Sequence, residues 1–123
     1  FSKSMIGLGA VSAAVAVITG AFGAHTLTGI VPPERLETFT TGSQYQMYHS
    51  IALLAVGLLY QRWDAGLVKI SGWLFLAGIL LFSGSLYLLV LLDAPWLGAI
   101  TPLGGTAFIL GWILLAAGVY RSL

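Results

Sequence analysis

The charges of this chain are so spaced that Lys3, Glu34, Arg35, Glu37, Arg62, Asp64, Lys69, Asp93 and Arg121 leave four uncharged runs, residues 4–33, 38–61, 70–92 and 94–120. Each run is longer than the ~20 residues a helix needs to cross a bilayer. In hydrocarbon the backbone has no water to bond, so helix is the conformation open to such runs. With 59% hydrophobic and 7% charged residues, the chain stands far from the roughly 25% charged residues of a soluble domain. The expected fold is all-α, an integral membrane four-transmembrane-helix bundle. Residues 1–123 form a single transmembrane domain with spans at about 5–25, 44–61, 69–92 and 97–120.

The same charges exclude partners. A net charge of +1 with its five basic residues scattered offers no basic patch, so no nucleic acid is expected. Without cysteine there is no disulfide, thiolate nucleophile or iron–sulfur cluster. Lys and Arg are held back on the cytoplasmic side during insertion. With four spans, Lys3, Arg62, Lys69 and Arg121 share one side, and both termini are expected to be cytoplasmic. The opening Phe-Ser-Lys-Ser and the apolar run behind it resemble a signal peptide, but the run reaches spanning length and is read as the first helix.

Ser12, Ala16, Gly20 and Ala24 recur every fourth residue and put small side chains on one face of that helix, a face expected to meet another helix. Between spans one and two, Pro32 and Pro33 can start a helix, and Leu36, Phe39 and Thr40 recur beside Glu34, Arg35 and Glu37. This pattern predicts a short amphipathic interfacial helix; the alternative is an extended loop. The second span opens with Gln-Tyr-Gln-Met-Tyr-His-Ser at residues 44–50 and ends wholly apolar. Trp73, Trp96 and Tyr120 fall near expected interfaces, as aromatic belts do.

Alternating spans place the polar residues at one depth, in the outer half of the bilayer. The candidate polar cluster comprises His25, Tyr45, Gln46, His49, Ser83, Ser85, Tyr87, Thr101 and Thr106. Gln46, His49 and Ser50 share a helix face, as do Ser83 and Tyr87. Interhelical hydrogen bonding is the plain reading of such groups; a pocket for a headgroup, quinone or other small amphiphile is the functional one. Two imidazoles, His25 and His49, invite haem or a metal, yet small residues on the first helix leave little room for a macrocycle, and further ligands would come only from loops. No metal and no cofactor is expected. No Asp, Glu, Lys or Arg lies inside a span, which argues against proton-coupled transport. Ser83-Gly84-Ser85 lacks the Gly-x-Ser-x-Gly spacing of a hydrolase, and Gly104-Gly105 lacks the lysine of a phosphate loop. An enzyme is not expected.

The motifs Gly-Ala-Phe-Gly-Ala-His at residues 20–25, Tyr45-Gln46 followed by His49, Phe-Ser-Gly-Ser-Leu-Tyr at 82–87 and Thr-Pro-Leu-Gly-Gly at 101–105 closely resemble the YgdD-like family. The likeness covers essentially the whole chain. It implies a four-helix protein of the bacterial inner membrane, with a mitochondrial relative in animals and no assigned function, and it brings no catalytic residue or cofactor. Its recurrent residues fall on Gly23, His25, Tyr45, Gln46, His49, Ser83, Ser85, Tyr87, Pro102, Gly104 and Gly105. The expected role is a non-enzymatic scaffold or accessory subunit in the lipid bilayer, packing as a homo-oligomer or in a larger membrane-protein complex. Gly72, Gly78, Gly84, Gly111 and Gly118 offer it small-residue faces. The alternative is binding or passage of a small amphiphile, a lipid headgroup or quinone, at the polar cluster.

Overall fold

The computed structural model describes residues 1–122, and its regular structure is helical apart from one isolated bridge between Thr28 and Val31. Helix α1 covers Ser2–Leu27, α2 Pro33–Arg62, α3 Gly66–Leu91 and α4 Thr101–Ser122, the last preceded by a 3-10 turn at Pro95–Ala99. Two helices contain wider π-turns, Gly23–Leu27 closing α1 and Ile79–Ser83 inside α3.

The four-span bundle is corrected on one helix. Among the described residues, three segments are long and apolar enough to cross a membrane: Ser2–Leu27, Gly66–Leu91 and Pro95–Arg121. Helix α2 is not among them. It runs 30 residues, but its charges at Glu34, Arg35 and Glu37 and its neutral polar run at 44–50 leave an apolar stretch, from Ile51 to Leu59, well short of the ~20 residues required. The short interfacial helix is corrected with it. Pro33 begins a helix that passes without a break through the polar run to Arg62, so the expected interfacial segment is the first part of α2. No proline stands between Leu36 and Arg62 to stop it, and Gly42 is tolerated mid-helix because it lies against the Tyr87 ring.

Helices α1 and α2 pack antiparallel along most of α1. A β-carbon on Gly9 would sit 2.7 Å from Ser50 O, and one on Gly57 would sit 2.8 Å from Ser2 O. Helices α3 and α4 approach as closely, Gly104 against the backbone of Phe82 and Gly111 against the ring of Phe75. Between the two pairs lies a core of Met5, Leu53, Val56, Val68, Phe75 and Phe108. At one end Phe1 packs on Tyr60 and Trp73, Lys69 Nζ lies 5.8 Å above the Phe1 ring, and Gly118 meets Val68. The N-terminus, the α2–α3 connection and the last turns of α4 therefore share one end. A second core of Leu27, Phe39 and Val90 closes the other.

Candidate functional site

Two polar arrangements meet on adjoining faces of α2. On the face toward α1 and α3, Gln46 is the hub. Its Nε2 donates to Ser12 O at 3.0 Å and Ser12 Oγ at 3.3 Å, and its Oε1 accepts from Tyr87 OH at 2.5 Å. Ser50 Oγ lies 2.7 Å from Ser12 Oγ, and Thr19 Oγ1 lies 3.1 Å from Tyr87 OH. One turn further along, Ser43 donates to Ala16 O and Ser83 to Gly42 O. Such interhelical bonds contribute roughly 0.6 to 2 kcal/mol each. Among the described residues no buried side-chain polar atom lacks a partner, so this layer is closed on itself.

The other arrangement is open. Between α2 and α4, whose backbones barely approach each other, aromatic side chains frame a lateral groove of about 570 Å³. Helix α2 contributes Tyr45, Tyr48 and His49; α3 contributes Phe82; α4 contributes Gly105, Phe108, Ile109 and Trp112. Tyr45, Tyr48, Ile109 and Trp112 are exposed at its rim, while His49 is buried at its wall. The imidazole stacks on Phe108, with centroids 3.5 Å apart and planes inclined by 8°. Its Nδ1–H donates to Tyr45 O at 2.7 Å, and its Nε2 accepts from Trp112 Nε1–H at 3.0 Å. The π-turn in α3 ends at Ser83 and carries Phe82 into this wall, 4.9 Å from the Tyr45 ring. Wider turns of this kind reposition side chains relative to a regular helix.

The structure therefore divides the expected cluster. Gln46, Ser83 and Tyr87 join α2 to α1 and α3, whereas Tyr45 and His49 line the groove. Gln46 and His49 point to different helices, although both are buried on α2. Ser85 and Thr101 form a separate pair at 2.6 Å, which ties α3 to the start of α4. Thr106 is exposed and bonds Pro102 O within its own helix. His25 is exposed in the π-turn of α1 and has no hydrogen bond to the described residues. No group of three His, Asp or Glu among the described residues is placed to hold a metal ion.

Sequence reasoning missed Ser12, Thr19 and Ser43 in the closed layer, and Tyr48, Phe82, Phe108 and Trp112 in the groove. A signal existed for the last. Tryptophan gathers at membrane interfaces, yet Trp112 lies well inside an apolar run, one helical turn after Phe108 and two after Gly105.

Comparison with known proteins adds a family-level likeness. A family model described as "Protein of unknown function (DUF423)" matches residues 19–105. The chain is 48% identical over 122 residues to the UPF0382 membrane protein YwdK of Bacillus subtilis (strain 168), covering 98% of this chain and 99% of that protein. It is 47% identical over 119 residues to the UPF0382 membrane protein SAB0533 of Staphylococcus aureus (strain bovine RF122 / ET3-1), covering 97% of each. The UPF0382 membrane protein SH2409 of Staphylococcus haemolyticus (strain JCSC1435) is 40% identical over 119 residues, again 97% of each. No solved structure matches.

Proposed function

The chain belongs to the DUF423 family, the UPF0382 membrane proteins of unknown function, and from that premise we propose that it is a non-enzymatic protein that takes a small amphiphile into the groove between α2 and α4. Its narrower likeness to YgdD-like proteins rests on the sequence motifs alone. The groove carries the functional reading. Its volume of about 570 Å³ falls among small-molecule clefts of ~300–1,000 Å³. It is aromatic, and its exposed rim residues open it sideways, where lipid surrounds a membrane protein.

A non-enzymatic role is supported by the way the nucleophile candidates are engaged. Ser83 donates to Gly42 O, Ser85 donates to Phe82 O, and both nitrogens of His49 are occupied by Tyr45 O and Trp112. The scaffold reading drew on glycine faces, and most of these are filled from within the chain. Gly72 meets Met5 and Val56, Gly78 meets Phe108, Gly111 meets Phe75 and Gly118 meets Val68. Gly84 alone of the five has open space beside it.

The proposed membrane is the bacterial cytoplasmic membrane. Its orientation no longer rests on counting spans. Phe1, Lys69 and Gly118 lie at one end of the molecule, and this end carries Lys3, Arg62, Lys69 and Arg121. By the preference of Lys and Arg for the cytoplasmic side, this end faces the cytoplasm.

Native mass spectrometry of the protein extracted gently from its own membrane tests the groove. The comparison is with Gly105→Phe, because a β-carbon at Gly105 meets only the Phe82 ring, at 3.8 Å, and a phenyl group there fills the groove from its floor. A small-molecule mass on the wild type that is absent from the variant is the expected result. Bare chain, its multiples or a second protein in both spectra would overturn the groove reading and favour the scaffold.

A further inference from the structure

Resting on the groove reading above, we propose that the amphiphile is a neutral prenylated ring lipid bearing carbonyl oxygens, a quinone by chemical class. Depth supplies the first constraint. The span Pro95–Arg121 has 27 residues, about 40 Å of helix, and Phe108 stands at its middle. A groove centred there lies far from the headgroups, where a charged group is expensive. No Asp, Glu, Lys or Arg lines it to offset such a charge. A phospholipid headgroup is therefore a poor occupant.

Hydrogen-bonding character supplies the second constraint. The phenols of Tyr45 and Tyr48 have no partner among the described residues, and each can donate. The indole N–H of Trp112 can only donate, and it is engaged within the wall. The sole ring acceptor in the lining, His49 Nε2, is already taken by that N–H. The two free phenols can each donate to a ring carbonyl, an acceptor that brings no charge into the groove.

Shape supplies the third. Tyr45 and Phe82 have centroids 4.9 Å apart, and the stacked His49–Phe108 pair stands between Tyr45 and Trp112. Such walls favour a flat π-system, which gains offset or edge contacts of roughly 0.5–1.5 kcal/mol each beyond area burial. An acyl chain would gain neither these contacts nor the donors. The isoprenoid tail would leave through the exposed rim at Ile109 into the surrounding lipid.

Quinone rings quench indole emission on contact, so Trp112 is a built-in reporter. The full chain carrying Trp63→Phe, Trp73→Phe and Trp96→Phe, in phosphatidylglycerol nanodiscs, would be titrated with a short-tailed prenyl naphthoquinone. A matching protein that keeps only Trp96 serves as the control. The proposal expects saturable quenching of Trp112, weakened about tenfold or more by Gly105→Phe, against shallow linear quenching of Trp96. Ile109→Phe, at the exposed rim, is the second blocking variant should Gly105→Phe fail to fold. Linear, non-saturating quenching that is equal at Trp112 and Trp96 overturns the proposal. A prenyl alcohol or diacylglycerol tested by native mass spectrometry separates the two failures. If either binds and is lost with Gly105→Phe while the quinone does not saturate, the quinone assignment falls and the groove reading stands; if none binds, both fall.

Discussion

The indole N–H of Trp112 and the Nδ1–H of His49 together fix the state of one imidazole: the first donates to Nε2 across 3.0 Å, the second to Tyr45 O across 2.7 Å. An indole can only donate and a carbonyl can only accept, so the ring is neutral with its proton on Nδ1. Trp112→Phe keeps an aromatic wall but leaves a buried acceptor unpaired, a loss of about 1–3 kcal/mol. The expected result is a lower unfolding midpoint in detergent, together with nitrogen NMR shifts in the wild type that show the Nδ1–H tautomer. An Nε2–H tautomer would contradict the bond.

Gln46 is bonded by both α1 and α3, and that sharing has its own consequence. Tyr87→Phe removes the phenol that bonds Gln46 Oε1 and touches Thr19, stranding a buried acceptor at about 1–3 kcal/mol. Gln46→Leu removes the hub and leaves Ser12 and Tyr87 short of a partner. Once Gln46 is gone, losing the Tyr87 hydroxyl should matter less. The double variant is therefore expected to lose less stability than the two single losses summed, as measured by a double-mutant cycle of thermal unfolding. Simple additivity would mean that the two side chains act independently.

Three helices were legible because their apolar runs are long and uninterrupted, and the small-residue face of α1 was legible from its spacing: Ala16 and Gly20 do lie against Ser43 of α2. Helix α2 was misread as a span because charges were weighed and neutral polar groups were not. Gln44, Gln46, His49 and Ser50 carry no charge, yet they dilute its hydropathy. Its prolines correctly marked a start, but nothing between Leu36 and Gln44 marks an end, and the supposed interfacial helix runs on. The groove was hidden for a different reason. Whether His49 turns toward α1 with Gln46 or toward α4 with Phe108 depends on helix rotation, and neighbouring residues on a helix differ by about 100°. Spacing alone grouped the two; packing separated them.

Glycines that look alike in sequence should respond in opposite directions. A β-carbon at Gly104 would collide with the backbone of Phe82, which cannot move without shifting α3. Gly104→Ala is expected to destabilise by about 1–3 kcal/mol through overpacking. Gly7 has nothing within 4 Å of its β-carbon position, inside an otherwise regular helix. There alanine removes unfolded-chain freedom at no steric cost, and Gly7→Ala is expected to be neutral or to stabilise by about 0.5–1 kcal/mol. Unfolding midpoints in one detergent compare them directly, and equal shifts would mean that the α3–α4 approach is looser than described.

Asp93 combines two features at the α3–α4 turn that a substitution can separate. Its carboxylate lies 3.0 Å from Arg35 Nη1 and is 86% exposed. Its backbone adopts φ 49°, in the left-handed region. An exposed ion pair contributes about 0–1 kcal/mol, whereas a β-branched side chain is poorly suited to that backbone. Asp93→Asn keeps a residue that tolerates the left-handed turn and should melt within error of the wild type in high salt, where the pair is screened. Asp93→Val should still destabilise in high salt, where only the backbone penalty remains, and somewhat more in low salt, where the ion pair is lost as well. If Asn were the more damaging change, the ion pair would be holding the turn and the backbone geometry would be secondary.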